Sequence, residues 1–353
     1  MTRPAVCVVV PVYRAEATLD RCVRSVLTQT VPGGVRCILV DDGGPDQSGT
    51  LCDAWAARDD RVQVIHQEGR GVSSARNAGL EAADSEYLVF LDADDALRPG
   101  ALQAALDAQR AAPEDVILWH YTTREKDPTP VTDQLETRPQ SALAQLWLDC
   151  LLAMPWNKLY RTDRAQQVKF NTKYTLGEDL QFVLDYLALT GRQVPAFHYR
   201  VLQSPLPFYD CSRSGTLSTK YHANYCEIWP EHFAKLNAAC LAAQCPDRDL
   251  RQLYRAELTV FAEGVADIMR RDPAPLDGIR RDKAAAALRS VWLRTLLDRM
   301  RAERCYSAYY LPCRWRNLYL VYSLAEAKRT GSPLYGKLDW AGYYLLAGRM
   351  RRD

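Results

Sequence analysis

The sequence predicts an α/β protein, with a Rossmann-like, mostly parallel sheet domain followed by a helical C-terminal domain. Three observations carry this expectation. Over residues 1–120, short β-prone apolar runs alternate with segments whose apolar residues recur at helical spacing. That alternation is the mark of parallel strands joined by right-handed helical crossovers. Several of the runs end in polar or acidic clusters, and the C-terminal ends of such strands are where open α/β sheets bind ligands. From residue 219 onward the pattern is helical, with few strand signals.

Taken in order, Val6 to Val10 forms the first strand and Pro11 ends it. Leu19, Cys22, Val23, Val26 and Leu27 line one face of the first helix. Cys37 to Val40 is the second strand, running into Asp41-Asp42-Gly43-Gly44. A helix from Gln47 to Arg58 follows, with Asp46 as its cap. Val62 to Ile65 reads as a strand and Ser74 to Ala83 as a helix. Tyr87 to Leu91 is a continuous apolar run, as suits a buried parallel strand. A helix from Gly100 to Gln109 and a strand from Val116 to Trp119 complete the alternation. Residues 124–139 are polar and proline-rich and read as a loop. Ala142 to Leu152 and Leu180 to Leu189 read as helices, and Pro273, Pro275 and Gly278 interrupt the helical remainder once.

Bulk composition narrows the function class. The 353 residues are 48% hydrophobic and 25% charged, as in an ordinary folded protein. A net charge of +2 gives no global signal for nucleic acid. No apolar run is long enough to span a bilayer, and the N-terminus reads as a strand, not a signal peptide. The 11 cysteines are scattered without Cys-x-x-Cys spacing, which argues against zinc and dithiol chemistry. Cys7, Cys22 and Cys37 fall on apolar faces, as free cysteines do in a reducing cytoplasm. Residues 299–353 hold 11 Lys or Arg, 4 Asp or Glu and 10 Tyr or Trp. A tail of that kind either packs as a helical domain or lies on an anionic membrane surface.

The chemistry concentrates at the predicted strand ends. Asp92, Asp94 and Asp95 close the fourth strand with carboxylates that repel one another unless a cation holds them. Hard oxygen ligands there suit Mg²⁺ or Mn²⁺ carrying substrate phosphates. Tyr13 offers a ring for a nucleobase, and Asp42 an acceptor for the base's N–H groups. Arg76 offers a planar fork matched to phosphate oxygens. Glu178-Asp179 open an apolar helix, where acids serve as caps, as dipole partners or as a general base.

In order along the chain stand Val10-Pro11-Val12-Tyr13, Asp41-Asp42-Gly43, the Gly71–Gly79 segment Gly-Val-Ser-Ser-Ala-Arg-Asn-Ala-Gly, and Asp92-Ala93-Asp94-Asp95. Trp156-Asn157-Lys158-Leu159-Tyr160 and Gly177-Glu178-Asp179-Leu180 follow. Together these blocks resemble an inverting family-2 glycosyltransferase with a GT-A fold, densely over residues 4–110 and more thinly beyond. The resemblance implies a donor-binding set of Pro11, Val12, Tyr13, Glu16, Asp42, Gly43, Arg76, Asp92, Ala93 and Asp94. It makes Asp94 the ligand of a Mn²⁺ or Mg²⁺ ion and sets Asp92 against the ribose or donor sugar. It puts Asp42 on uracil, hence a UDP donor. It makes Asp179 the base, with Glu178, Trp156, Asn157 and Lys158 on the acceptor. Tyr209 to Ser218, with Arg213, Ser214 and Thr216, is similar to a basic, serine-rich segment that can close over the diphosphate. Four positions depart from the family's usual residues, Arg14, Gly44, Gly69 and Arg70, and put the details of base and sugar contact in doubt.

The function expected is transfer of a hexosyl or N-acetylhexosaminyl unit, with inversion, from a UDP-sugar to a glycan or lipid-linked acceptor in cell-surface polysaccharide synthesis. Residues 1–218 would form the GT-A domain, with 1–110 as the nucleotide-sugar half and 111–218 as the acceptor half. Residues 219–353 would be a helical accessory domain for acceptor binding, homodimerisation or peripheral membrane contact. The expected location is the cytoplasm, at most peripheral on the inner face of the membrane. A sugar-1-phosphate nucleotidyltransferase would need a glycine-rich phosphate loop after the first strand, and Pro11 to Glu16 contains no glycine. The remaining alternative is a non-catalytic carbohydrate-binding or scaffold protein on a degenerate GT-A fold.

Overall fold

The computed structural model describes residues 3–211, 220–273, 278–333 and 335–339. It divides into two compact units, Met1–Ala142 with Asp149–Ser214, and Leu143–Leu148 with Gly215–Asp353. Arg213, Ser214 and Thr216, Pro275 and the last stretch of the tail lie outside the described residues.

The first unit begins with β1 (Val6–Val12), α1 (Leu19–Leu27), β2 (Val35–Asp41), α2 (Ser48–Arg58), β3 (Val62–His66), α3 (Val72–Ala82) and β4 (Tyr87–Phe90). β5 (Ala96–Leu97), α4 (Ala101–Ala111), β6 (Val116–Thr122) and β7 (Leu135–Pro139) follow. The short helix α5 (Leu143–Leu148) belongs to the second unit. The chain then returns with β8 (Lys158–Arg161), α6 (Thr162–Ala165), α7 (Glu178–Gln193) and β9 (His198–Phe208). The sheet runs β3-β2-β1-β4-β8-β6-β9-β5, with β7 paired to β9. β1 to β4 are parallel, so their C-terminal ends share one edge. Strand order reverses between β1 and β4, where such sheets open a crevice.

β1 and β4 are buried on both faces, which explains their unbroken apolar runs. Cys7 on β1, Cys22 on α1 and Cys37 on β2 are fully buried and act as small hydrophobes. Four strands were not anticipated from periodicity, the two-residue β5 among them. β7 lies where a loop was expected, because an antiparallel partner in β9 captures residues that carry no apolar alternation. β8 is four residues long and antiparallel to both neighbours, and β9 contains Pro205 and Pro207. Asp46 does not cap α2 as expected. Gln47 takes that place, while Asp46 accepts from the backbone N–H groups of Glu16 and Ser48.

The second unit holds α5, α8 (Tyr225–Ala242), α9 (Asp247–Arg271), α10 (Ile279–Ala287), α11 (Val291–Ala302), α12 (Tyr310–Arg314) and α13 (Leu318–Arg329). The 25-residue α9 is its spine, packed by α5, α8, α10, α11 and α13. No helix among the described residues is long and apolar enough to cross a membrane.

α3 sits unusually close to the sheet. A Cβ at Gly79 would lie 2.3 Å from Val9 Cγ1 and 3.2 Å from Val40 Cγ2. Gly79→Ala should therefore destabilise the first unit by about 1–3 kcal/mol through overpacking, read as a lower denaturation midpoint.

Candidate active site

The shared sheet edge gathers most of the expected donor residues. Tyr13, just past β1, is 52% exposed, and the Arg14 guanidinium lies 5.4 Å over its ring. Pro11, Val12 and Ala93 are buried, so only their backbone can meet a ligand. Glu16 accepts from the Gln47 backbone N–H at 3.0 Å and is tied to the start of α2.

Asp42 is nearly buried and already engaged. Its carboxylate accepts from Gln67 Nε2 at 2.6 Å and from the backbone N–H groups of Arg70 and Gly71 at 2.8 and 2.9 Å. It therefore shapes the 67–71 loop, a job that the resemblance did not suggest. Gly43 beside it has φ +69, a left-handed backbone that favours glycine. Asp41 turns the other way and accepts from His66 Nδ1 at 3.0 Å. Hydrogen bonds to Asp41 and Asp53 raise the His66 pKa. His66 was missed in the sequence, although it faces Asp41 directly across the β2–β3 register.

The centre of the site is Arg76, on the first turns of α3 and 4% exposed. Its Nη1 donates to Asp179 at 2.6 Å and lies 3.8 Å from Glu178, while Nη2 donates to Asp92 at 2.9 Å. Its guanidinium lies 5.4 Å from the centre of the Phe170 ring. Phe170 stacks on Phe182 at 4.0 Å, and Phe90 meets both edge-on. Asn77, one residue on from Arg76, exchanges two hydrogen bonds with the Phe170 backbone and pins that floor to α3. Expected as a phosphate clamp, Arg76 directs its fork at carboxylates. It joins the β4 end to the start of α7, where Gly177, at φ 76, turns the chain so that Glu178 and Asp179 open the helix.

This setting shifts the acids. Burial pushes the Asp179 carboxyl up to about 7; Arg76 opposes the shift, and Glu178 and Asp92 reinforce it. Burial also raises Asp95, to about 9, helped by Asp92 and Asp94. Asp95 is 1% exposed and its Oδ2 has no hydrogen-bond partner, so the acidic turn is short of positive charge. No group of three or more His, Cys, Asp or Glu suited to a metal occurs among the described residues. Mg²⁺ and Mn²⁺ do not need one, since one or two carboxylates plus substrate phosphates and water complete their shell. Asp94, partly exposed, and Asp92, whose side chain is 28% exposed, fit that smaller demand.

The Trp156-Asn157-Lys158 block departs from expectation. Asn157 and Lys158 are 0% exposed, so neither offers a surface to an acceptor. Lys158 Nζ donates to the carbonyls of Leu151 and Met154 and to Asn157 Oδ1, at 2.6 to 2.9 Å. Burial lowers its pKa well below the usual lysine range. The two residues brace the 151–157 loop. Trp156, 5% exposed, stacks on Tyr209 at 5.4 Å and meets Tyr121 edge-on. Of the three rings Tyr121 is the one 37% exposed, a lead that periodicity alone could not supply.

Removing the central cation is the direct test of this geometry. Arg76→Met should cost about 2 kcal/mol of stability, below the 3–5 of a fully buried pair because its partners keep 28% and 30% of their side-chain surface. Chemical denaturation reads this.

Comparison with known proteins agrees with the geometry. Residues 7–177 match the model for "Glycosyl transferase family 2". Over 190 residues the chain is 32% identical to a Bacillus subtilis glycosyltransferase, EpsJ, covering 52% of this chain and 54% of that one. It is 37% identical over 115 residues to the glycosyltransferase GlyG of Streptococcus pneumoniae, 32% of this chain and 38% of that one. The chain thus spans only about half the length of such curated relatives. Staphylococcus aureus TarS, solved in complex with UDP-GlcNAc, superposes with a TM-score of 0.63 at 16% identity over 92% of each chain. A Pyrobaculum calidifontis mannosyltransferase in complex with GDP-Man and Mn²⁺ gives 0.51 at 17% identity, over 90% of this chain and 88% of that one. At those identities the fold is what is shared, an α/β GT-A architecture with a helical C-terminal region. Together with the motif order, the match over residues 7–177 and the curated glycosyltransferase relatives support a family-2 glycosyltransferase with a GT-A fold.

Proposed function

We propose that the chain is a metal-dependent, inverting transferase that moves one hexosyl or N-acetylhexosaminyl unit from a UDP-sugar to an acceptor hydroxyl. Its product would be cell-surface polysaccharide or another glycan, on a free or lipid-linked acceptor at the cytoplasmic face. One observation carries the reading: a single guanidinium, Arg76, holds the strand-end acid Asp92 and the helix-start acid Asp179 together. This is the spacing expected of a donor side and a base side of one reaction. The UDP-GlcNAc bound by TarS supports a nucleotide-sugar donor, and the Mn²⁺ of the mannosyltransferase supports a divalent ion.

The chemistry asks little covalent work of the protein. The acceptor hydroxyl gives its proton to Asp179 as its oxygen attacks the anomeric carbon from the face opposite the nucleotide. The bond to the diphosphate breaks, its electron pair stays on the departing nucleoside diphosphate, and the configuration inverts, as in an inverting glycosidase with a sugar hydroxyl in place of water. A divalent ion held by Asp94 would supply Lewis-acid stabilisation to the leaving diphosphate. Tyr13 stacks on the base, Asp42 accepts from its edge, and Glu178 orients the acceptor beside Tyr121. Arg76 keeps Asp179 in place. To the helical unit we assign acceptor handling, with self-association and contact with a membrane surface as the further roles that its basic, aromatic composition supports. The rival, a non-catalytic glycan-binding or scaffold protein, predicts neither sugar transfer nor slow donor hydrolysis.

Three outcomes are expected. Asp179→Asn should keep UDP-sugar binding in a thermal-shift assay and lose about 10²- to 10⁴-fold in kcat. In the wild type, kcat/KM should fall as pH drops through about 7, because the base must be ionised and its pKa is raised. Wild-type turnover in Asp179→Asn would remove the base assignment. Asp94→Asn should abolish the Mn²⁺-dependent part of stabilisation by UDP, which for ligand at 100 times its Kd amounts to about 2.7 kcal/mol. No metal-dependent shift in the folded wild type would favour the non-catalytic reading.

A further inference from the structure

We propose that Arg21 and Asp210 are positioning residues that fix the backbone carrying the Asp94 carboxylate. The inference rests on the reading above that Asp94 serves the donor's metal. Arg21, on α1, reaches across to the acidic turn, where its Nη2 donates to the Asp94 carbonyl at 2.6 Å. The same Nη2 donates to Asp210 Oδ2 at 2.8 Å. Asp210 closes the circuit, since its backbone N–H donates to Asp95 Oδ1 at 2.9 Å. Asp95 N in turn donates to the Asp92 carbonyl, which makes the turn itself. Cys22, next to Arg21, adds a weak contact from Sγ to the Asp92 carbonyl at 3.6 Å. Immediately beyond the turn, Ala96 and Leu97 pair with Phe208 and Pro207 of β9, and the Arg21 guanidinium lies 5.0 Å from the Phe208 ring centre.

Two distant stretches, α1 and the end of β9 with Asp210, therefore converge on one turn. The side chains of Asp92 and Asp94 stay partly exposed while the turn is held from behind through its carbonyls and through Asp95. This is the division of labour seen where outer partners orient inner ligands. The pattern is more than a surface ion pair, because the Asp210 side chain is only 10% exposed and the shared Nη2 ties the two acceptors to each other.

The test compares wild type, Arg21→Met, Asp210→Ala and the double variant by calorimetric titration of UDP with and without Mn²⁺, beside kcat and KM. Arg138→Met is the control. It breaks an ion-pair cluster with Glu136 and Asp149 in the same unit, far along the sequence from the turn. Each single variant should weaken Mn²⁺-dependent UDP affinity by about tenfold while remaining folded by circular dichroism. The double variant should lose no more than the worse single, because one circuit is broken once. The control should bind like wild type. Singles that bind like wild type, losses that multiply in the double variant, or an equal loss in the control would each overturn the inference. If wild type itself shows no Mn²⁺-dependent UDP binding, the donor-site reading falls and this inference with it.

Discussion

One guanidinium in a nest of carboxylates is the constraint on which the site depends. Arg76 is almost fully buried, and its cost of desolvation is offset by Asp92, Asp179 and the nearby Glu178. The carboxylates still outnumber it, and the buried Lys158, whose ammonium is bonded to carbonyl and amide oxygens, adds only a minor charge effect at Asp179. That imbalance is why burial can raise both Asp179 and Asp95 in spite of a cation 2.6 Å from Asp179. A site short of positive charge favours a further cation, and nucleotide phosphates arriving with a divalent ion would bring one without adding to the repulsion.

Much of the fold was legible because β1, α1, β2, β3 and β4 obey local rules. Their apolar runs and helical spacing match what the sheet buries. The strands that went unread have non-local causes. β7 exists because β9 lies beside it, and β8 is too short to show a period. At the site, residue type was readable and connectivity was not. Asp92, Arg76 and Asp179 could each be picked out, but nothing in the sequence says that one arginine touches both acids 16 and 103 positions away. Asn157 and Lys158 show the reverse error. A polar pair after a tryptophan looks like a ligand surface, yet two backbone carbonyls and one amide oxygen consume the ammonium. His66 left no chemical motif at all and is found only through strand register.

α3 connects these points. Gly79 lets the helix lie against Val9 and Val40 at a distance that no side chain allows. Arg76 stands on the same helix, so the closeness of helix to sheet sets how far its guanidinium reaches. Asn77 and the stacked Phe170 and Phe182 fix the other side. Precision at the carboxylates thus comes from apolar packing one turn away, where interiors tolerate little change in volume.

The long-range character of these bonds bears on the order in which the chain gains competence. Arg76 precedes Asp179 by 103 residues, Asp95 precedes Asp210 by 115, and Arg21 precedes Asp210 by 189. Contacts of such separation form late, since the entropy of closing the loops between them comes first. During synthesis, β1 to β4 and the arginine of α3 leave the ribosome well before α7 and the end of β9. A growing chain therefore holds Arg76 beside its acidic turn before Asp179 can reach it. The acidic turn and Arg76 gain their last partners only once Asp179 and Asp210 have emerged, long after the first four strands.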